Sequence, residues 1–385
     1  MDVPNPPSTR YTRVEDELEA NDADAFVHVG DRFDDLLRYL TRFDGPDRPY
    51  AFVYADEEAI LCAPALFAEQ AQREFPGEVV LAAADQTASN APERALEVVN
   101  ERASGTRVLV PPSVPADAYW TIEQNVEEIL VEQIDVGRAR KDAAERSCHE
   151  FVQTAAQKGM ARAEEVLASA AIDGDELRWR GNRLTAEHLR REVNAALASH
   201  GVRDAGNTVI GAGPTCADLH FTGQDTIRPG ETVLLDISPR GPHGYYGDLA
   251  RTFVVGEPDE WAASVYEAVE AAQDAALAVL EDGGGTRAAA VHEAAFEVLA
   301  DYGFETGDIE VGMYHGGGHG VGISLHESPS LTNDVALESG NVVTVEPGVY
   351  DPETGGVRIE DLVVVTEDGY ENLTEYPRTL TPNTA

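Results

Sequence analysis

The sequence predicts two domains: an α/β layer over residues 1–137 and a pseudo-symmetric α+β domain over residues 138–385. Three observations carry that expectation. A chain of 385 residues exceeds one ordinary hydrophobic core. Its first third alternates strand-like runs with helical stretches. Beyond it, the order helices, paired acids, helices, paired acids runs through twice, without obvious residue identity between the two passes.

In the first domain the strand-like runs are Ala25 to Val29, Tyr50 to Tyr54, Glu78 to Leu81 and Arg107 to Val110. No constellation of reactive side chains accompanies them. The chain turns polar and charged from Val136 to Asp142, which marks the boundary. A long helix is expected over about 142 to 170, where Phe151, Val152, Ala155, Ala156 and Met160 recur at helical spacing. A second, about 185 to 200, opens with Thr185-Ala-Glu-His and stops at Gly201. Two more, about 258 to 281 and 286 to 302, are broken by a glycine triple from Gly283. Neither glycine triple of the chain has the GxxxxGK[ST] pattern of a phosphate loop, so both read as turns.

The paired acids lie in strand contexts. Asp236 ends the apolar run Glu231-Thr-Val-Leu-Leu-Asp-Ile-Ser238, and Asp248 sits in Tyr245-Tyr-Gly-Asp-Leu-Ala-Arg-Thr-Phe-Val-Val255. With a turn centred near Pro242, the two carboxylates oppose one another in a hairpin. Glu346 and Glu360 repeat the arrangement about a turn centred near Glu353. Like charges facing each other destabilise a sheet unless a cation sits between them. A fifth candidate, His319, lies in Tyr314-His-Gly-Gly-Gly-His-Gly-Val-Gly-Ile-Ser-Leu-His-Glu-Ser-Pro329, which packs His315, His319 and His326 into twelve residues. Its glycines permit close backbone approach, which suits the wall of a cleft better than a helix. Four carboxylates and one imidazole form an oxygen-rich set of the kind that holds two divalent cations side by side.

These residues resemble a known family. Gly318-His-Gly-Val-Gly-Ile-Ser-Leu-His-Glu-Ser-Pro, Val345-Glu-Pro-Gly-Val-Tyr and Gly356-Val-Arg-Ile-Glu-Asp are similar to the signatures of the pita-bread metallopeptidases, which include prolidase, aminopeptidase P, methionine aminopeptidase and creatinase. The resemblance spans about residues 140 to 378 in family order, and the first domain looks like the creatinase-type amino-terminal domain. It implies Asp236 on one metal, Asp248 and Glu360 bridging both, and His319 with Glu346 on the other. Glu346 then becomes the proton shuttle, and His326 and His220 contact the substrate or the tetrahedral intermediate. Leu219 departs from the proline that many members carry before the histidine at 220. His315 is implied to bind substrate. Arg358 shares the strand face of Glu360 and pairs either with a neighbouring acid or with a substrate carboxylate.

The activity implied is metal-dependent hydrolysis of the bond before proline, in an Xaa-Pro dipeptide or at a peptide amino terminus. Two cations sharing a water lower its pKa and stabilise the oxyanion of a scissile amide. Manganese or cobalt is the first expectation for the metals, zinc or iron the second, and a homodimer the expected assembly. A different reading is a small-molecule amidohydrolase, for instance one opening a cyclic compatible solute such as ectoine. A third, a catalytically dead binding module, is disfavoured because all five ligands are present.

Composition narrows the setting. The formal net charge is −42, from 70 acidic and 28 basic residues, and the only lysines are Lys141 and Lys158. Acid excess spread along the chain, with almost no lysine, suggests a halophilic cytoplasm, where salt screens self-repulsion. It disfavours nucleic acid as a partner. Cys62, Cys148 and Cys216 are odd in number and widely spaced, so neither a disulfide framework nor a thiolate metal site is indicated. The amino terminus lacks the basic start and apolar stretch of a signal peptide, and no apolar run approaches a membrane span.

Overall fold

A computed structural model describes residues 2–81 and 90–383. The chain divides into two compact units, Pro6–Arg138 and Ala139–Ala385 together with Met1–Asn5.

The first unit is a six-stranded mixed sheet. In spatial order its strands are Glu78–Leu81, Glu58–Ala63, Tyr50–Ala55, Ala25–Gly30, Arg107–Val110 and Glu128–Val131. All four strands read from the sequence are present. Glu58–Ala63 escapes a sequence reading because it follows Tyr50–Ala55 across a tight turn, with Asp56 and Glu57 both at positive φ. Glu128–Val131 escapes because it is an edge strand of only four residues.

The second unit is built in two similar passes. In the first, helices Ala143–Ala168 and Ala186–Ser199 pack with an antiparallel sheet of Thr208–Ala212, Thr232–Ile237 and Leu249–Val254. Asp142 caps the long helix, accepting from the backbone of Ala144 and Glu145, while Glu145 reaches back to the cap. Phe151, Val152, Ala155, Ala156 and Met160 form its buried stripe, as the spacing predicts. In the second pass, helices Glu260–Val279 and Ala288–Asp301 pack on a sheet whose order is Glu327–Ser330, His319–Gly320, Val342–Val345, Asp361–Val365 and Tyr370–Asn372. The break between these helices needs glycine at 283, where φ is +70° and a Cβ would lie 2.4 Å from the Gly369 nitrogen. No helix among the described residues is long and apolar enough to cross a membrane.

Both acid hairpins form, with two corrections to the sequence reading. Asp236 pairs with Ala250, not with Asp248, so the turn is centred on His243. Asp248 has left the ladder because a side chain replaces the neighbouring strand: Gln153 donates Nε2–H to its carbonyl (2.7 Å) and accepts its N–H (2.9 Å). A shift of two residues keeps Asp248 on the face of Asp236, since side chains alternate with period two. The second hairpin is not one ladder but two. Val345 pairs with Asp361 in the large sheet and Gly348 with Arg358 in a separate two-stranded ribbon, so one register runs through both. Glu346 and Glu360 stand opposite each other in the gap between them.

Candidate active site

The gap between the two ladders frees backbone groups that tie the ligand strands to other segments. Glu346 N–H donates to Gly317 O (3.0 Å), which sets it against the glycine-rich loop. Glu360 N–H donates to Ala250 O (3.1 Å), which sets it against the first hairpin. The loop itself is pinned from behind by the Gly317 N–H, which donates to His292 Nδ1 (3.0 Å). Its glycines are sterically required: a Cβ on Gly318 would stand 2.1 Å from Thr344 O. Arg251, wholly buried, donates to the Glu360 carbonyl (2.7 Å) and to Asp361 (2.8 Å).

All nine residues singled out in the sequence line one cavity of about 410 Å³: His220, Asp236, Asp248, His315, His319, His326, Glu346, Arg358 and Glu360. That volume falls in the lower part of the range for small-molecule sites. Donor atoms of Asp248, His319 and Glu360 lie within 4.8 Å of one another. Glu346 Oε1 is 3.5 Å from His319 Nε2, and Asp248 Oδ2 is 3.7 Å from it. Asp236 is turned aside, its Oδ2 accepting from Arg358 Nη1 at 2.6 Å.

The donor set has the chemistry of a cation site. His319 Nδ1 faces the Gly320 carbonyl at 3.1 Å, which makes it the protonated nitrogen and leaves the Nε2 lone pair aimed at two carboxylates. A nitrogen set against two carboxylates calls for a cation at that point, either a proton or a metal ion. Glu360 Oε2 is buried without a hydrogen-bond partner among the described residues. Burial, then Asp248, Asp236 and Glu346, push the Glu360 carboxyl well above the usual range. Burial, Asp236 and Glu346 do the same to Asp248, against the Ser238 hydroxyl, which donates to its Oδ1 at 2.9 Å. Unscreened acids this close keep protons unless metal ions replace them. Glu346 differs. Burial would raise it, but the imidazoles of His319 and His315, Arg358 and the Thr344 hydroxyl (3.1 Å) hold it below the ordinary carboxylate range.

The remaining residues sort by what their polar atoms already touch. Arg358 donates Nε–H to the buried Tyr350 hydroxyl (2.7 Å) and Nη1–H to Asp236, so of its two expected roles it adopts the ion pair with a neighbouring acid. Both ring nitrogens of His315 are engaged, Nδ1 with Gly316 O (2.6 Å) and Nε2 with Tyr350 OH (2.9 Å), which leaves neither free for a substrate. Burial pushes its pKa down to about 4, and Arg358 adds to that. His326 packs against His319 with ring centroids 4.1 Å apart and planes inclined by 45°, and burial first, then His319, lower its pKa. His220 sits exposed at the rim. Ser238, Thr344 and Tyr350 were not singled out from sequence. Ser238 and Thr344 each stand two positions from an acid on its own strand face, and that alternation is the signal that finds them.

A domain of two helix-and-sheet passes with acids from both passes meeting in one cleft is the architecture of the pita-bread metallopeptidases. The model of the family described as "Metallopeptidase family M24" matches residues 141–367, and the chain belongs to that family. The probable dipeptidase PepE of Mycobacterium tuberculosis is 35% identical over 199 residues, 51% of this chain and 51% of that protein. The Xaa-Pro dipeptidase of Pyrococcus furiosus is 38% identical over 181 residues, 46% of this chain and 50% of its own. The chain thus spans about half the length of the curated relatives it matches. The crystal structure of the prolidase from Pyrococcus horikoshii superposes with a TM-score of 0.80 at 24% identity, covering 96% of this chain and 99% of that one. The expected architecture, a creatinase-like α/β domain followed by a pita-bread domain, is therefore present.

Proposed function

We propose that this chain is a dinuclear metallopeptidase that cleaves the amide bond on the amino-terminal side of proline, in an Xaa-Pro dipeptide or at the start of a short peptide. The observation that carries the reading is the convergence of Asp248, His319 and Glu360 around a partnerless Glu360 Oε2 in a buried cleft. Asp236 and Glu346 would complete, with these three, a set holding two divalent cations, manganese or cobalt being the first expectation. When bound, such a pair supplies Lewis acidity and a nucleophilic water at neutral pH.

The chain's own residues do the rest. Glu346, whose carboxyl lies below the ordinary range, accepts a proton and passes it to the departing amine. His326, whose ring reaches into the cavity beside His319, donates a hydrogen bond to the oxygen that becomes negative in the tetrahedral species. His220 offers a second contact at the rim. Xaa-Pro specificity is supported by the similarity to the Pyrococcus furiosus enzyme of that name. A homodimer and a salt-rich cytoplasm belong to the same reading, and light scattering in multimolar KCl tests the first.

The deciding experiment is release of free proline from Ala-Pro, and of alanine from Ala-Pro-Ala, with Mn²⁺ or Co²⁺ in multimolar KCl against a chelated control. Cleavage of the dipeptide alone makes the chain an Xaa-Pro dipeptidase. Alanine release from the tripeptide makes it an Xaa-Pro aminopeptidase. Silence on both, from folded and metal-loaded protein, overturns the peptidase reading and favours a cyclic small-molecule amide.

A further inference from the structure

The catalytic unit hides a charge pair that the proposed chemistry does not use. Lys141 Nζ lies 2.5 Å from Glu327 Oε1, and the two side chains are 1% and 2% exposed. A buried ion pair is weak evidence for stability, because desolvating both charges offsets most of their attraction. Its position in the fold suggests another use. Glu327 immediately follows His326 and pairs with Gly320, closing the loop that runs from the metal-site histidine to the substrate-facing one. The Glu327 carboxylate fills the inside of that loop: a Cβ on Gly322 would lie 2.2 Å from its Oε1. Lys141 is itself fixed, its N–H donating to Gly340 O (2.8 Å) and its ammonium to Ala139 O (3.3 Å). By contrast, no described residue hydrogen-bonds the His326 ring, so its aim depends on its backbone and on contact with His319. The chain's cations are otherwise almost all arginine, and here a compact ammonium donates to both Ala139 O and Glu327.

We propose that Lys141 and Glu327 are positioning residues for His326: the pair locks the carboxylate inside the 320–327 loop and so fixes the imidazole at the angle the reaction requires. The kinetic consequence rests on the peptidase reading above; the geometric one does not. The test uses the full-length protein in three forms. Lys141→Met/Glu327→Leu replaces the pair by apolar groups of similar size, a change expected to preserve folding. Gly322→Ala instead displaces the carboxylate while retaining both charged residues. Wild type is the reference.

Two readouts are taken. The first is the His326 ring cross-peak in the ¹H–¹³C spectrum of metal-free protein, assigned through His326→Gln. The second is kcat and KM on the cleaved substrate at matched metal content. The cross-peak is expected to move in both variants while those of His188 and His200 stay in place, and kcat is expected to fall about 10-fold or more with little change in KM. An unmoved cross-peak with wild-type kcat in the folded apolar double variant overturns the proposal. If wild type cleaves no Xaa-Pro bond, the peptidase reading fails on that result, and the cross-peak alone decides this one.

Discussion

Arg358 holds Asp236 through a 2.6 Å ion pair between side chains that are only 5% and 16% exposed. The guanidinium thus neutralises one acid of the site from behind, and it reaches that acid from the strand that also carries Glu360. Removing it leaves Asp236 buried and uncompensated. Arg358→Met is expected to destabilise the metal-free protein by about 3 kcal/mol. Added Mn²⁺ should restore most of that, widening the gap between metal-free and metal-loaded melting temperatures. KM for the cleaved peptide should stay within about two-fold of wild type, because the guanidinium does not hold substrate. A large rise in KM at full metal occupancy would count against the ion-pair role.

Metal content discriminates the ligands. Asp248→Ala and Glu360→Ala should each empty both positions, whereas Asp236→Ala should retain one ion per chain after gel filtration. Mass-spectrometric metal analysis reads this directly. Equal content in all three variants would sink the bridging assignment.

His149 supplies a pH test away from the metal site. Its Nδ1–H donates to the Tyr246 carbonyl (2.9 Å), and burial, with a contribution from Lys141, pushes its pKa down to about 3. An unfolded histidine titrates near 6.5. Below that pH the unfolded chain takes up a proton that the folded chain refuses, so stability is full above 6.5 and is lost as pH falls toward 3. The slope is about 1.4 kcal/mol per pH unit from this group alone. His149→Asn keeps a donor for Tyr246 and removes the titration. Urea unfolding at pH 6.5 and 5.0 should therefore show a smaller loss in the variant than in wild type.

Salt should stabilise the fold strongly. At a formal charge of −42, self-repulsion acts over about 10 Å in 0.1 M salt and about 3 Å in 1 M. The melting temperature is expected to climb steeply over that range of KCl and to change far less with sucrose. An equal response to both would assign the effect to water exclusion, not to charge.

The four acids and one histidine that converge in the cleft were legible because each sits in a strand or glycine context that composition alone does not produce. The register of Glu346 against Glu360 was legible too, since Asp351-Pro-Glu-Thr-Gly355 is an unambiguous turn. The register of Asp236 is not legible in the sequence, because what displaces Asp248 from its ladder is Gln153, a residue on a helix far away in sequence. No local pattern reports that. The strand Thr208–Ala212 was missed for a simpler reason: five residues containing a glycine carry too little alternation to stand out. Tyr350 was hidden within a motif that resembled the family's, where only its fold-back onto Arg358 and His315 reveals a role.

The shared register of the two ladders around Glu346 and Glu360 makes the metal centre a vernier on chain length. One residue inserted between Glu346 and the hairpin tip, or between the tip and Glu360, would slide one acid past the other and turn it to the opposite face. Length can change there only by equal additions to both strands or within the tip itself. Homologous chains should therefore vary freely between Asp351 and Gly355 while the spans from Glu346 to the tip and from the tip to Glu360 stay matched.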